Sequence, residues 1–187
     1  MENEWIGNWK RKNRREVYNN NWITVYHDDV ENPSGGTGIY GVVHYKNLAI
    51  GVIPLDEKGN IWLVGQHRYP QNKYSWEIPE GGGILDVDPK ESAQRELQEE
   101  VGLQAGKLDL IIEMDLSNSV TNEIALIYLG RDLTVVQGQP DETEDLTIKK
   151  VHLKEAIEMV MNGEITDAMS VGGILKLSRM DWVKEYL

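Results

Sequence analysis

Cysteine is absent from the 187 residues. Disulfides, thiolate metal sites and a cysteine nucleophile are thereby excluded. No run approaches the ~18 consecutive apolar residues of a membrane span. The opening residues, Met1-Glu2-Asn3-Glu4-Trp5, show no basic segment leading into an apolar stretch. Neither a signal peptide nor a membrane partner is therefore expected, and the chain is expected to be cytoplasmic. Positive charge is scarce, with 19 Lys and Arg against 31 Asp and Glu, a net charge of -12. A field of that sign repels nucleic acid except at a local basic patch, so no nucleic-acid partner is expected. The basic cluster Lys10-Arg11-Lys12-Asn13-Arg14-Arg15 reads as a solvated N-terminal arm. Internal repeats and low-complexity linkers are also lacking.

What is present is an ordinary globular balance, 40% hydrophobic and 27% charged. The length suits one domain plus a margin. Strand-like runs rich in Val, Ile, Tyr and Trp occur at Val17 to Val25, Ile39 to Tyr45, Leu48 to Leu55, Ile61 to Val64, Leu108 to Asp115, Ile124 to Leu129 and Leu146 to Val151. Asp56 to Asn60 reads as a hairpin connection. One helix has sharp ends: Asp88 as N-cap, Pro89 at the first position, Glu91 as in a capping box, and Gly102 as a left-handed stop after Val101. A second is expected from Leu153 to Asn162 before Gly163, and a third over roughly Thr166 to Trp182, weakened by Gly172-Gly173. The order is strands, helix, strands, helices, a mixed α/β class without regular βαβ alternation. Residues 1–45 could form a separate N-terminal sheet. Gly36 to Gly41 spells GxGxxG, but a strand-like run follows it rather than a helix, so a dinucleotide-binding reading is rejected.

The chemistry concentrates between Glu80 and Leu103. At about 100° per residue, Glu96, Glu99 and Glu100 share an arc of roughly 100° on the helix. Ala93, Leu97 and Val101 form the core-facing stripe, with Glu100 at its border. Like charges at these spacings repel, and a hard divalent cation would relieve them. A solvated acidic face is the plainer alternative, with Arg95 simply pairing with Glu99. Gly82-Gly83 could be a flexible turn or a contact element.

The segment resembles the Nudix box, G-x5-E-x7-R-E-U-x-E-E-x-G-U with U aliphatic. Gly81, Arg95, Glu96, Leu97, Glu99, Glu100, Gly102 and Leu103 match, while Val87 stands where the early glutamate belongs. The resemblance implies the Nudix α/β/α sandwich with a mixed sheet, preceded by a small antiparallel β region. It implies Mg²⁺, with Mn²⁺ as a substitute, held by Glu96, Glu99, Glu100 and the backbone carbonyl of Glu80. It implies that Arg95 orients the glutamates. Outside the box, Gln66 to Pro70, Trp76 to Pro79, Asp141 to Leu146 and Met159 to Ala168, including Gly163 to Ile165, are similar to stretches of the ADP-ribose and nucleoside diphosphate sugar pyrophosphatases. Glu142 or Glu144 would be the base that deprotonates the attacking water. Arg68 could contact phosphate or form an ordinary ion pair, and Glu77 is expected at the substrate. Trp22 could stack on the nucleobase or sit in a strand core. The resemblance divides the chain into residues 1–45, for dimerisation and base binding, and a Nudix domain over 46–187. It implies a homodimer acting on a small nucleoside diphosphate sugar. A proline typical of ADP-ribose enzymes is missing from Ser117 to Glu123, which favours a broader range including GDP-mannose-like substrates. The competing readings are other diphosphates, such as dinucleotide polyphosphates, and a Nudix module that binds without turnover. The four histidines show no ligand spacing.

Overall fold

Local sequence chemistry sets the ends of most elements in the computed structural model, which describes residues 4–138 and 146–187. The chain forms two compact units, residues 1–47 with 115–123 and residues 48–114 with 124–187.

The first unit is an antiparallel sheet of β1 (Glu4–Ile6), β2 (Trp9–Asn19), β3 (Ile23–Glu31) and β4 (Thr37–Tyr45), in that order. The expected single strand over Val17 to Val25 is instead a hairpin. The Asn20 side chain accepts from the amides of Trp22 and Ile23 at 2.9 and 2.8 Å, an Asx turn that reverses the chain. Trp22 therefore lies at a strand-joining bend and is 64% exposed, so its expected place in a strand core is overturned. The basic cluster is not a solvated arm either. It lies within β2, where Lys12 pairs with Glu31 at 2.9 Å and Arg11 with Glu4. Arg14 grips the buried Asp28 with Nε and Nη2, each at 2.7 Å, and stacks on the Tyr26 ring. Opposite charges on adjacent strands hold the cluster to the sheet. A cavity of about 320 Å³ opens in this unit, lined among others by Ile6, Trp9, Tyr40, Val42 and Asn118. The GxGxxG segment runs into β4, an extended strand, as its sequence context requires.

In the second unit, β8 (Glu80–Ile84), β5 (Asn47–Pro54), β10 (Ile124–Val135) and β9 (Leu103–Asp115) form one sheet. Strands β11 (Thr147–His152), β6 (Asn60–Arg68) and β7 (Lys73–Glu77) form another. Strand β10 pairs with β5 in parallel, Leu126 opposite Ile50. The helices are α1 (Pro89–Val101), α2 (Leu153–Met161) and α3 (Ala168–Ser178), followed by a 3-10 turn over Asp181–Tyr186. Strand periodicity explains the layering. Ile50, Val52, Leu126 and Tyr128 cluster with Ala93, Leu97 and Val101 of α1. The alternate residues Ile53 and Ile127 approach Gly173 of α3. Helices thus cover both faces of a mixed sheet, the α/β/α arrangement. Gly173 is needed for that approach: a Cβ there would lie 3.0 Å from Ile53 and 3.1 Å from Ile127. The third helix ends at Ser178 rather than continuing to Trp182.

Asp56 closes the β5–β6 connection. Its carboxylate accepts from the amides of Lys58 and Asn60 and pairs with Lys150 at 2.8 Å. Burial opposes its ionisation, but Lys150, Asn60 and the two amides outweigh this and lower its pKa to about 2. The folded pKa lies below the unfolded value, so this contribution is present above about pH 4 and fades as pH falls towards 2. Asp56→Asn should therefore lose stability near neutrality and lose less than wild type across that acid window. Urea midpoints measured from neutral to acid pH check this, and parallel curves would refute it.

Candidate active site

Helix α1 carries the box glutamates, and its caps fix their direction. The Asp88 side chain accepts from the Lys90 amide, Pro89 opens the helix, and Gly102 ends it at φ 65°. Burying Ala93 and Leu97 completely turns the acidic face towards β8. Glu96 and Glu100 are only 6% and 3% exposed, whereas Glu99 remains half-buried. These carboxylates are built into the structure, which the solvated-face alternative does not accommodate for Glu96 and Glu100.

Strand β8 is shaped to receive them. A Cβ on Gly81 would fall on the carboxylate of Glu96. Gly83 packs just as closely, its Cβ position 2.6 Å from Ile50 Cγ1. Gly81 and Gly83 are therefore close-packed within strand β8, and the triple glycine is strand rather than a flexible turn. The amide of Glu80 donates to Glu100 Oε2 at 2.9 Å, tying strand to helix. Arg95 ties them again: it pairs with Glu96 at 2.6 Å and Glu99 at 2.8 Å and donates to the Gly82 carbonyl at 2.8 Å. Burial disfavours its charge, but Glu96 and Glu99 prevail and raise its pKa. The pairing with Glu99 that the sequence suggested is present, with Glu96 and Gly82 added. Hard carboxylate oxygens at a strand backbone are the donor set a divalent cation such as Mg²⁺ selects. Glu96, Glu99 and Glu100 fit that group.

Arg68, at the end of β6, makes two bonds from Nε to Glu77, at 2.9 and 3.0 Å, and a third from Nη2 at 2.6 Å. The same Nη2 donates to Glu80 Oε1 at 2.8 Å. Glu77 is 2% exposed. Sequence reasoning missed two partners here, the Glu80 side chain and Asp167. Asp167 is the N-cap of α3, accepting from the Ser170 amide at 2.8 Å, while Ser170 Oγ accepts from the amide of Ile78. Oxygens of Glu77, Glu80 and Asp167 lie within 4.8 Å of one another. Burial, then the charges of Asp167 and Glu77, push the Glu80 carboxyl well above its usual range against the pull of Arg68. The signal that could have found this cluster is Glu80 itself, a charge between Pro79 and Gly81 in a strand that packs closely. Glu142 and Glu144, the candidate bases, lie outside the described residues. Val87 sits in the turn before α1, its amide bonded to the Ile84 carbonyl. Trp22 belongs to the first unit and is exposed there.

Comparison with known proteins agrees with this geometry. Residues 45–167 match the NUDIX domain model. Residues 9–43 match the nucleoside diphosphate sugar hydrolase N-terminal domain. The chain belongs to the Nudix family, and it is a pyrophosphohydrolase. It is 34% identical to an ADP-ribose pyrophosphatase of Mycobacterium tuberculosis, over 79% of this chain and 72% of that one. It is 30% identical to an ADP-ribose pyrophosphatase of Bacillus subtilis, over 86% and 88%. A crystal structure of an ADP compounds hydrolase shares the fold at TM-score 0.84, with 20% identity and 97% of each chain covered. No described helix is long and apolar enough to cross a membrane.

Proposed function

We propose that this chain hydrolyses the diphosphate linkage of nucleoside diphosphate sugars, with ADP-ribose and GDP-mannose-like compounds as substrates. The products would be a nucleoside monophosphate and a sugar phosphate. The observation that supports this most is the α1 glutamate face, held against β8 by Arg95 and the Glu80 amide. Its relatives named ADP-ribose pyrophosphatase supply the substrate class.

Glu96, Glu99, Glu100 and the Glu80 carbonyl would hold magnesium, which when bound neutralises charge on the diphosphate oxygens. Arg95 orients the glutamates by bridging two of them to the Gly82 carbonyl. Arg68 would turn its planar fork to phosphate, with Glu77 beneath it fixing its direction. Glu142 or Glu144 would take the proton of the attacking water, with Glu144 preferred. Residues 1–45 would mediate a homodimer and base binding, with Trp22 stacking on the nucleobase. The apolar exposure of Trp5, Ile6, Ile39 and Val120 in the first unit supports such an interface.

A magnesium-dependent assay coupled to a phosphatase tests the reading. The panel is ADP-ribose, GDP-mannose, a UDP-sugar, a dinucleotide polyphosphate and an oxidised nucleoside triphosphate. The sugar conjugates should turn over fastest. Faster cleavage of the polyphosphate would overturn the substrate class. Binding without turnover of any compound would leave a non-catalytic module.

A further inference from the structure

Ile78 and Pro79 join β7 to β8, the strand that packs against the α1 glutamates. Neighbouring elements hold this junction group by group. The Ile78 amide donates to Ser170 Oγ of α3 at 2.9 Å, and the Pro79 carbonyl accepts from the Val52 amide of β5 at 2.8 Å. The Glu80 carboxyl accepts from Arg68 Nη2 at 2.8 Å, and a hydrogen bond links it to Asp167. The Glu80 amide in turn donates to Glu100 Oε2 at 2.9 Å. Side chain and amide belong to one residue, so what fixes the first helps to orient the second.

We propose that Asp167 and the Glu80 side chain are positioning residues for the metal-binding face of α1, acting through the Glu80 amide on Glu100. This role presupposes that the face holds the metal, as proposed above. Asp167 is itself fixed: its Oδ2 accepts from the Ser170 amide at 2.8 Å, so the first turn of α3 sets its direction. The Glu80 side chain is 11% exposed and Glu100 is 3% exposed, so water is poorly placed to replace a lost partner at either. The strand also has little slack. A Cβ on Gly81 would already fall on the Glu96 carboxylate, so a displaced Glu80 disturbs the glutamates instead of being absorbed. Removing a hydrogen-bond partner of a metal ligand typically costs about 10- to 100-fold in metal affinity or activity. Asp167 stands further out in the same chain of contacts, and α3 thereby takes part in setting the geometry of α1.

Two Asp167 variants separate this role from helix capping, because serine and asparagine both cap helices well. Serine brings one side-chain oxygen, which the Ser170 amide takes, leaving none for Glu80. Asparagine keeps a carbonyl for the cap and an amide group for Glu80. Manganese titrations of the full chain near neutral pH, read by electron paramagnetic resonance, compare these two with wild type and Glu99→Gln, and thermal melts accompany them. Asp167→Ser should weaken manganese binding on the order of 10-fold, and Asp167→Asn should keep most of it. Both should melt close to wild type. Saturating magnesium should restore most of the turnover of Asp167→Ser, which a purely structural defect would not allow. Glu80→Ala against Glu80→Gln carries the same expected contrast should an Asp167 variant fold poorly, since glutamine accepts from Arg68 and donates to Asp167. Equal manganese affinity within both pairs would overturn these roles and leave Asp167 a helix cap. Wild-type manganese binding in Glu99→Gln would instead sink the metal reading of α1, and the positioning roles with it.

Discussion

Glu99→Gln should lower metal-dependent turnover by about 10²–10⁴-fold, equivalent to ~3–5 kcal/mol of transition-state stabilisation. Its melting temperature should stay close to that of wild type. The contrast follows from exposure. The Glu99 side chain is 37% exposed, and the partner found for it is Arg95, itself 46% exposed. Such a pair adds little to stability. Glutamine keeps the shape and removes the charge that a divalent ion needs. Glu96 and Glu100 are poorer test positions because both are buried, so a lost charge there disturbs packing as well. Initial rates across a magnesium series, with a thermal melt beside them, decide the matter. Wild-type rates in the variant would remove Glu99 from the metal site.

Gly81→Ala should damage both stability and activity. The new methyl would fall on the Glu96 carboxylate, which Arg95 and its burial hold in place. Either β8 or Glu96 must move. Overpacking of this kind costs ~1–3 kcal/mol. The displaced carboxylate should cost turnover at least about ten-fold more, since the metal ligands must hold their positions closely. Gly41→Ala is the control, because nothing lies within 4 Å of its added methyl. It should change stability by less than about 0.5 kcal/mol. Urea midpoints and kcat/KM of the folded protein provide the comparison. An active, stable Gly81→Ala would show that β8 yields more easily than its packing implies.

The legible parts of this molecule are those that local chemistry decides. Asp88, Pro89 and Gly102 mark the ends of α1, and the stripe of Ala93, Leu97 and Val101 names its buried side. From that side, the placement of Glu96 and Glu100 follows. Asp56 and Gly59 mark the hairpin in the same way. Less legible was the turn at Asn20, hidden because Val17 to Val25 reads as one β-rich run with three asparagines inside it. The basic cluster misled for a related reason. Its partners Asp28 and Glu31 lie on the next strand, and charge patterning along one segment does not reveal what pairs across a sheet.

The sequence by itself determined the family, the glutamate-bearing helix and the mixed α/β class, because a capped amphipathic helix and the box spacing are written within a few turns of chain. Tertiary structure alone decided that a side chain on Gly81 would meet the Glu96 carboxylate, that Arg95 clasps the Gly82 carbonyl, and that Asp167 meets Glu77 and Glu80. Those relations join β7, β8, α1 and α3. Their physics is close packing and charge at short range between residues distant in sequence, which only the folded chain brings together.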